Sequence, residues 1–138
     1  ARLQEEDRVI EIRAYDTVYG VWKYFTVWEE QMNLERESYC LIGTLEAWNA
    51  MCQYFGREKM IPVYIEVEDG TRLIRAVERE RTQEHPGYEE LCRRFLADAK
   101  DFSEENLKNA GITRRFENKD MNACLEEIKL FIQKAILI

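Results

Sequence analysis

Ile61-Pro62-Val63-Tyr64-Ile65-Glu66-Val67 runs directly into Glu68-Asp69-Gly70-Thr71-Arg72-Leu73-Ile74-Arg75-Ala76-Val77-Glu78-Arg79, and this stretch decides the fold class. The first part is mostly apolar and holds Val63, Ile65 and Val67. Strands of this composition are usually covered on both faces, as in parallel sheets. After Asp69-Gly70 the period changes, and Leu73, Ile74 and Val77 fall at helical spacing.

The same alternation continues outward. Residues 39–42 form a short apolar run ended by Gly43, which predicts another strand. Between the two runs, Leu45, Trp48, Cys52 and Phe55 make a helical stripe. Downstream, Tyr88, Leu91, Cys92, Phe95, Leu96 and Ala99 make a further stripe, and residues 112–116 read as a last short strand. Asp120 is placed to cap a final helix carrying Cys124, Ile128, Phe131 and Ile132. The order strand–helix–strand–helix–helix–strand–helix predicts an α/β domain with a parallel sheet.

Ahead of this region lies a different texture. Residues 8–15 alternate, with Ile10, Ile12 and Ala14 on one face and Val9, Glu11, Arg13 and Tyr15 on the other. That is a half-buried strand with Glu11 on its outer face. Residues 18–27 are aromatic and β-branched and predict a second strand, joined to the first by a turn at Asp16-Thr17. Residues 1–7 read as the tail of a helix with no visible start, and a segment is expected to be missing upstream.

The 138 residues are enough for one domain with a real core. The formal net charge of −7 counts against nonspecific nucleic-acid binding, which needs a broad basic surface. A local arginine cluster can still bind a small anion. No apolar run is long enough to cross a bilayer, and no signal peptide is visible, so no membrane contact is expected. Cys40, Cys52, Cys92 and Cys124 form no Cys-x-x-Cys pair. Three of them occupy apolar positions, which predicts buried free thiols in a reducing, cytoplasmic compartment.

Three features have the chemistry of a site. Arg72, Arg75 and Arg79 share one helical face by spacing, and Arg93 and Arg94 follow on the next helix. Two arginine-bearing helices joined by the polar loop 82–87 suit a lid over a phosphate, because guanidinium groups neutralise a transferring phosphoryl group. Taken on spacing alone, a solvated face paired with Glu78 and Glu80 is the preferred reading. Glu11, Tyr15, Thr17 and Tyr19-Gly20 offer a carboxylate acceptor and phenolic donors. Asn118 follows the last strand, at the carboxyl ends where α/β proteins bind ligands, although asparagine is equally at home in a turn. His85 has no catalytic partner in sequence, and no spacing resembles a zinc or calcium site.

The order of these features resembles the guanylate kinase family, especially a divergent branch found in Gram-positive anaerobes. Residues 9–20, Val-Ile-Glu-Ile-Arg-Ala-Tyr-Asp-Thr-Val-Tyr-Gly, look like the family's segment ending in Tyr-Gly. Residues 61–79 look like its strand and following helix, with an Arg-x-x-x-Arg pair at Arg75 and Arg79. Cys92-Arg93-Arg94-Phe95 and Arg115-Phe116-Glu117-Asn118-Lys119-Asp120 look like two later elements. The resemblance implies a partial P-loop nucleoside monophosphate kinase fold. Its parallel core sheet would lack its first strand, and it would carry a small antiparallel GMP-binding piece and a helical lid. Residues 1–36 would be the remnant of the GMP-binding subdomain, and residues 37–138 part of the core, with the lid at about 72–98.

By the same resemblance the intact parent would phosphorylate GMP to GDP with ATP and magnesium. Glu11 would read guanine and Tyr19 would touch the GMP phosphate. Arg75, Arg79 and Arg94 would serve the transferring phosphate, and Asn118 would lie near adenine; no residue is assigned to the metal. The family's Gly-x-x-x-x-Gly-Lys-Ser/Thr loop is absent, since no Gly-Lys pair occurs, and so is its arginine-rich GMP-phosphate grip. Val21 stands where the family has Ser or Thr, and Ile42-Gly43-Thr44-Leu45-Glu46 where it has Asp-x-Asp. The chain alone is therefore expected to be catalytically incompetent, to bind neither ATP nor magnesium tightly, and to self-associate, with elements exchanged between copies as one form of this homo-oligomer. A non-catalytic guanylate-kinase-like binding domain is the alternative, and an α/β domain with merely surface arginines is the third.

Overall fold

The structure is a computed structural model that describes residues 9–27 and 33–136. It is mixed α/β and divides into two compact units, residues 1–59 and 60–138.

In the first unit, β1 (Val9–Thr17) and β2 (Gly20–Val27) pair antiparallel, from Val9↔Val27 to Thr17↔Gly20, with a bulge between Val9 and Glu11. The turn is Val18-Tyr19, two residues later than the expected Asp16-Thr17. Gly20 accounts for the shift, because its φ of +104° is open only to a residue without a Cβ. The Thr17 hydroxyl reinforces the turn, donating to the Gly20 carbonyl at 2.8 Å and accepting the Tyr19 N–H at 3.1 Å.

The hairpin's faces are the reverse of the sequence expectation. Glu11 is buried and Arg13, Tyr15 and Thr17 are half-buried, whereas Ile12, Ala14 and Asp16 are exposed. The polar face of β1 is the one that meets α1 (Leu45–Phe55). Thr44 caps α1, its hydroxyl accepting from the Ala47 N–H. Gly56, at φ +92°, ends the helix by donating its N–H to the Cys52 carbonyl, and a short 3₁₀ turn, Arg57–Lys59, follows. Leu45 is buried as its stripe predicts, but its companions in the interior are Ala47 and Met51 rather than Trp48, Cys52 and Phe55. The preceding segment explains this. A Cβ on Gly43 would lie 3.3 Å from Ala47 Cβ and 3.6 Å from Met51 Cε, so the chain runs closely over that side of the helix.

Residues 39–42 are not a strand. Tyr39, Leu41 and Ile42 are exposed, and no strand pairs with this run among the described residues. An apolar run without a ladder partner leaves its amides to water and stays irregular.

The second unit is built on a parallel pair. β3 (Tyr64–Glu66) and β4 (Arg115–Glu117) align Tyr64 with Arg115, Ile65 with Phe116 and Glu66 with Glu117. Three helices lie between them in sequence: α2 (Asp69–Glu80), α3 (Tyr88–Asp101) and α4 (Glu104–Asn109). α5 (Met121–Ile136) follows β4. Phe116 is fully buried, its ring 5.3 Å from that of Phe131 on α5. On β3, Tyr64 stacks on Phe102 at 5.8 Å. Leu91, Leu107, Ile112 and Cys124 complete this core. The expected cover on both faces is not found, because Ile65 beside Phe116 is 51% exposed.

Both strands are shorter than the apolar runs that predict them. Ile112 spends its N–H on the Leu107 carbonyl, closing α4 through Gly111 at φ +69°, and so is not available to a ladder. α4 itself has a readable start in Ser103, whose hydroxyl accepts from the Asn106 N–H. Asp120 caps α5 as expected, accepting from Ala123 N–H at 2.8 Å. Of the cysteines only Cys124 is buried; Cys52 is half-buried, and Cys40 and Cys92 are exposed. Cys92 sits one residue round α3 from buried Leu91, which turns it by about 100° towards solvent. Among the described residues no helix is long and apolar enough to cross a membrane.

Two outcomes test this packing. Phe116→Ala should lower the unfolding free energy by about 3–5 kcal/mol in urea melts, the cost of emptying a fully buried aromatic site. Glu68 caps α2 by accepting from the Gly70 and Thr71 N–H groups, which hold its carboxyl below the ordinary glutamate value. A depressed folded-state value stabilises above the unfolded pKa and is lost as pH falls through the folded one. Glu68→Gln should therefore lower the melting temperature at neutral pH, and the difference from wild type should vanish in acid.

Candidate functional site

The residues with site chemistry fall into both units, and each set is built locally. In the second unit the focus is the carboxyl end of the parallel pair. The Asn118 N–H donates to the Glu66 carbonyl at 2.8 Å, continuing the β3–β4 ladder one step. The chain then turns, and Arg75 on α2 holds the turn. Its Nη1 donates to the Asn118 carbonyl at 2.9 Å and its Nη2 to the Lys119 carbonyl at 3.0 Å. The backbone of Asn118 is thus engaged on both sides. Its side-chain Oδ1 is buried and has no hydrogen-bond partner among the described residues. A buried acceptor without a donor costs about 1–3 kcal/mol, so the Asn118 side chain is held at a cost to stability.

The arginines do not gather at one point. Arg72 lies over the Phe95 ring at 4.1 Å and bridges towards α3, with its Nη1 3.9 Å from Asp98. Burial pushes the Asp98 carboxyl up, and Arg72 only partly offsets it. Arg75 faces the 118–119 turn. Arg79, one turn further along α2, is exposed. On α3, Arg93 makes a two-point pair with Glu90, and Arg94 is mostly exposed with its Nε 3.9 Å from the same carboxylate. The apolar stripe of α2 is split: Leu73 and Ile74 are exposed, while Val77 is half-buried alongside Arg72 and Arg75. The loop between the helices is anchored by Glu80, which accepts the Gly87 N–H at 2.7 Å.

Sequence reading missed Arg115, which organises the neighbouring surface. Its guanidinium donates to Glu66 at 2.7 Å and to both carboxylate oxygens of Glu104. This pairing holds the Glu104 carboxyl below its ordinary value and raises Arg115 further above its own. The network ties β3, β4 and α4 together and has the character of a brace.

In the first unit, Glu11 has both carboxylate oxygens occupied. Oε2 accepts from Arg13 Nε at 2.8 Å and Oε1 from the Thr26 hydroxyl at 2.7 Å. Arg13 reaches on to the Thr44 hydroxyl at 2.8 Å. The network therefore joins β1, β2 and the cap of α1. Tyr19 is exposed in the hairpin turn. The strand between it and Glu11 is roughly 20 Å long, so the structure does not bring these two side chains together. Among the described residues no group of three or more His, Cys, Asp or Glu could hold a metal ion, and no residue is assigned to one.

Glu11→Ala should destabilise the chain by about 3 kcal/mol in denaturant unfolding, since it leaves a largely buried Arg13 without its counter-charge. No family model, curated protein or solved structure matches this chain.

Proposed function

We propose that this chain carries the base-side and lid residues of a guanylate-kinase-like protein whose intact form phosphorylates GMP to GDP with ATP and magnesium, in a P-loop nucleoside monophosphate kinase fold. The observation that carries the proposal is the unpaired Asn118 Oδ1 at the carboxyl ends of two parallel strands, braced from behind by Arg75. Such strand ends are where α/β proteins bind ligands. The 6-amino group of adenine is the kind of donor that this acceptor lacks, and meeting it requires the turn to open, because the oxygen is buried. Arg79 and Arg94, both exposed, are the arginines left to meet phosphate, while Arg75 positions the base-side turn. Without a Gly-Lys phosphate loop the chain does not transfer a phosphoryl group by itself.

A second reading, a non-catalytic guanylate-kinase-like binding domain, is favoured by one observation. Glu11, the family's guanine reader, has each oxygen engaged inside the fold and is buried. Titration with ATP and with inosine triphosphate, followed by amide chemical shifts, tests the first reading. ATP should perturb residues around Asn118, and the inosine analogue, which has no 6-amino group, should bind about tenfold more weakly. Asn118→Ala should lose this preference, and Arg75→Ala should weaken both nucleotides. Equal binding of the two, or none at millimolar ATP, removes the adenine assignment.

A further inference from the structure

We infer that the free edge of β2 is a homodimer interface, across which two copies join their hairpins into one four-stranded antiparallel sheet. The hairpin is two-stranded, and a pair of strands alone is marginal in water. β1 has α1 against it and carries Glu11, Arg13 and Asp16. Among the described residues no helix packs on β2, and Lys23 is its single charge. Residues 20–25 are exposed without a break, on both faces of the ribbon, and include Val21, Trp22, Tyr24 and Phe25. Its eight residues, Gly-Val-Trp-Lys-Tyr-Phe-Thr-Val, hold one charge and no proline. Native edges are normally guarded by charge, proline, a bulge or a covering element. The irregularity in this hairpin is at Val9/Glu11 on the β1 side, away from the middle of β2.

The sequence of β2 is complementary to a second copy of itself and favours one register. A two-fold axis perpendicular to the sheet keeps like faces together, so residues of equal parity oppose one another. Two such registers use most of the strand. One places Lys23 against Lys23, opposing like charges. The other places Tyr24 against Tyr24, Trp22 against Thr26, Lys23 against Phe25 and Val21 against Val27. It sets the ammonium beside an aromatic ring and brings two tyrosines together at the axis. Across the joined sheet, Ile12, Ala14, Val21 and Phe25 of both copies form one continuous face, broken by Asp16 and Lys23, whose opposite charges suit a two-fold arrangement.

Light scattering over a concentration series tests the dimer, and charge exchange tests the register. Wild type should show a concentration-dependent dimer. Phe25→Lys changes an exposed residue and sets lysine against Lys23 of the second copy, so it should raise the dissociation constant about tenfold or more. Adding Lys23→Glu to that variant should restore association. With Cys40 and Cys92 changed to serine, Tyr24→Cys should form an intermolecular disulfide and Lys23→Cys should not. A monomer at every concentration, a dimer indifferent to Phe25→Lys, or crosslinking at position 23 in preference to 24 overturns the proposal.

Discussion

The second unit depends on one long-range pairing, the parallel ladder between Tyr64–Glu66 and Arg115–Glu117. It is short, yet it joins residues such as Glu66 and Arg115 that stand 49 positions apart. The helices between the strands have somewhere to pack only once that closure is made. Loop-closure entropy opposes it, so the ladder needs support from side chains. Phe116 supplies it on one side, buried against Phe131. Arg115 supplies it on the other, tying Glu66 and Glu104. The Asn118 turn continues the same ladder, which is how a structural pairing comes to present an unsatisfied acceptor at its carboxyl end.

The first unit has a different organiser. Glu11, Arg13, Thr26 and Thr44 form a chain of charge-assisted and hydroxyl hydrogen bonds that links both strands to the helix cap. Inside a protein such bonds are worth more than in water, provided every member has a partner. That condition is met by residues from three separate parts of the sequence. The cost is borne on the opposite face, where Ile12, Val21 and Phe25 are left exposed. α2 repeats the arrangement on a smaller scale, with Arg72 and Arg75 turned inward and Leu73 and Ile74 outward.

Much of the element order is legible in the sequence because it rests on local chemistry. The hairpin follows from β-branched and aromatic runs around Gly20. The start of α5 follows from Asp120, and the α2 strand-to-helix unit from the change of period at Asp69-Gly70. Residues 39–42 are as apolar as the true strands but pair with no strand among the described residues, and partnership is not a local property. Which face of β1 is buried is misread for the same reason. The pattern marks the apolar face correctly, but the polar face wins when a cap hydroxyl and a cross-strand threonine satisfy it together. Asn118 is visible as a candidate, whereas its buried, unpartnered oxygen is not.

The sequence alone therefore determined the mixed α/β character, most helix positions and which residue types stand beside one another along each element. These depend on residue type and on neighbours within a few positions. Only the tertiary structure decided that Arg75 holds the Asn118 turn, that Glu11 is buried among its own partners and that residues 20–25 of β2 are exposed. Each of those is a contact or an exposure set by residues distant in the chain, and its sign depends on whether a polar group finds a partner there.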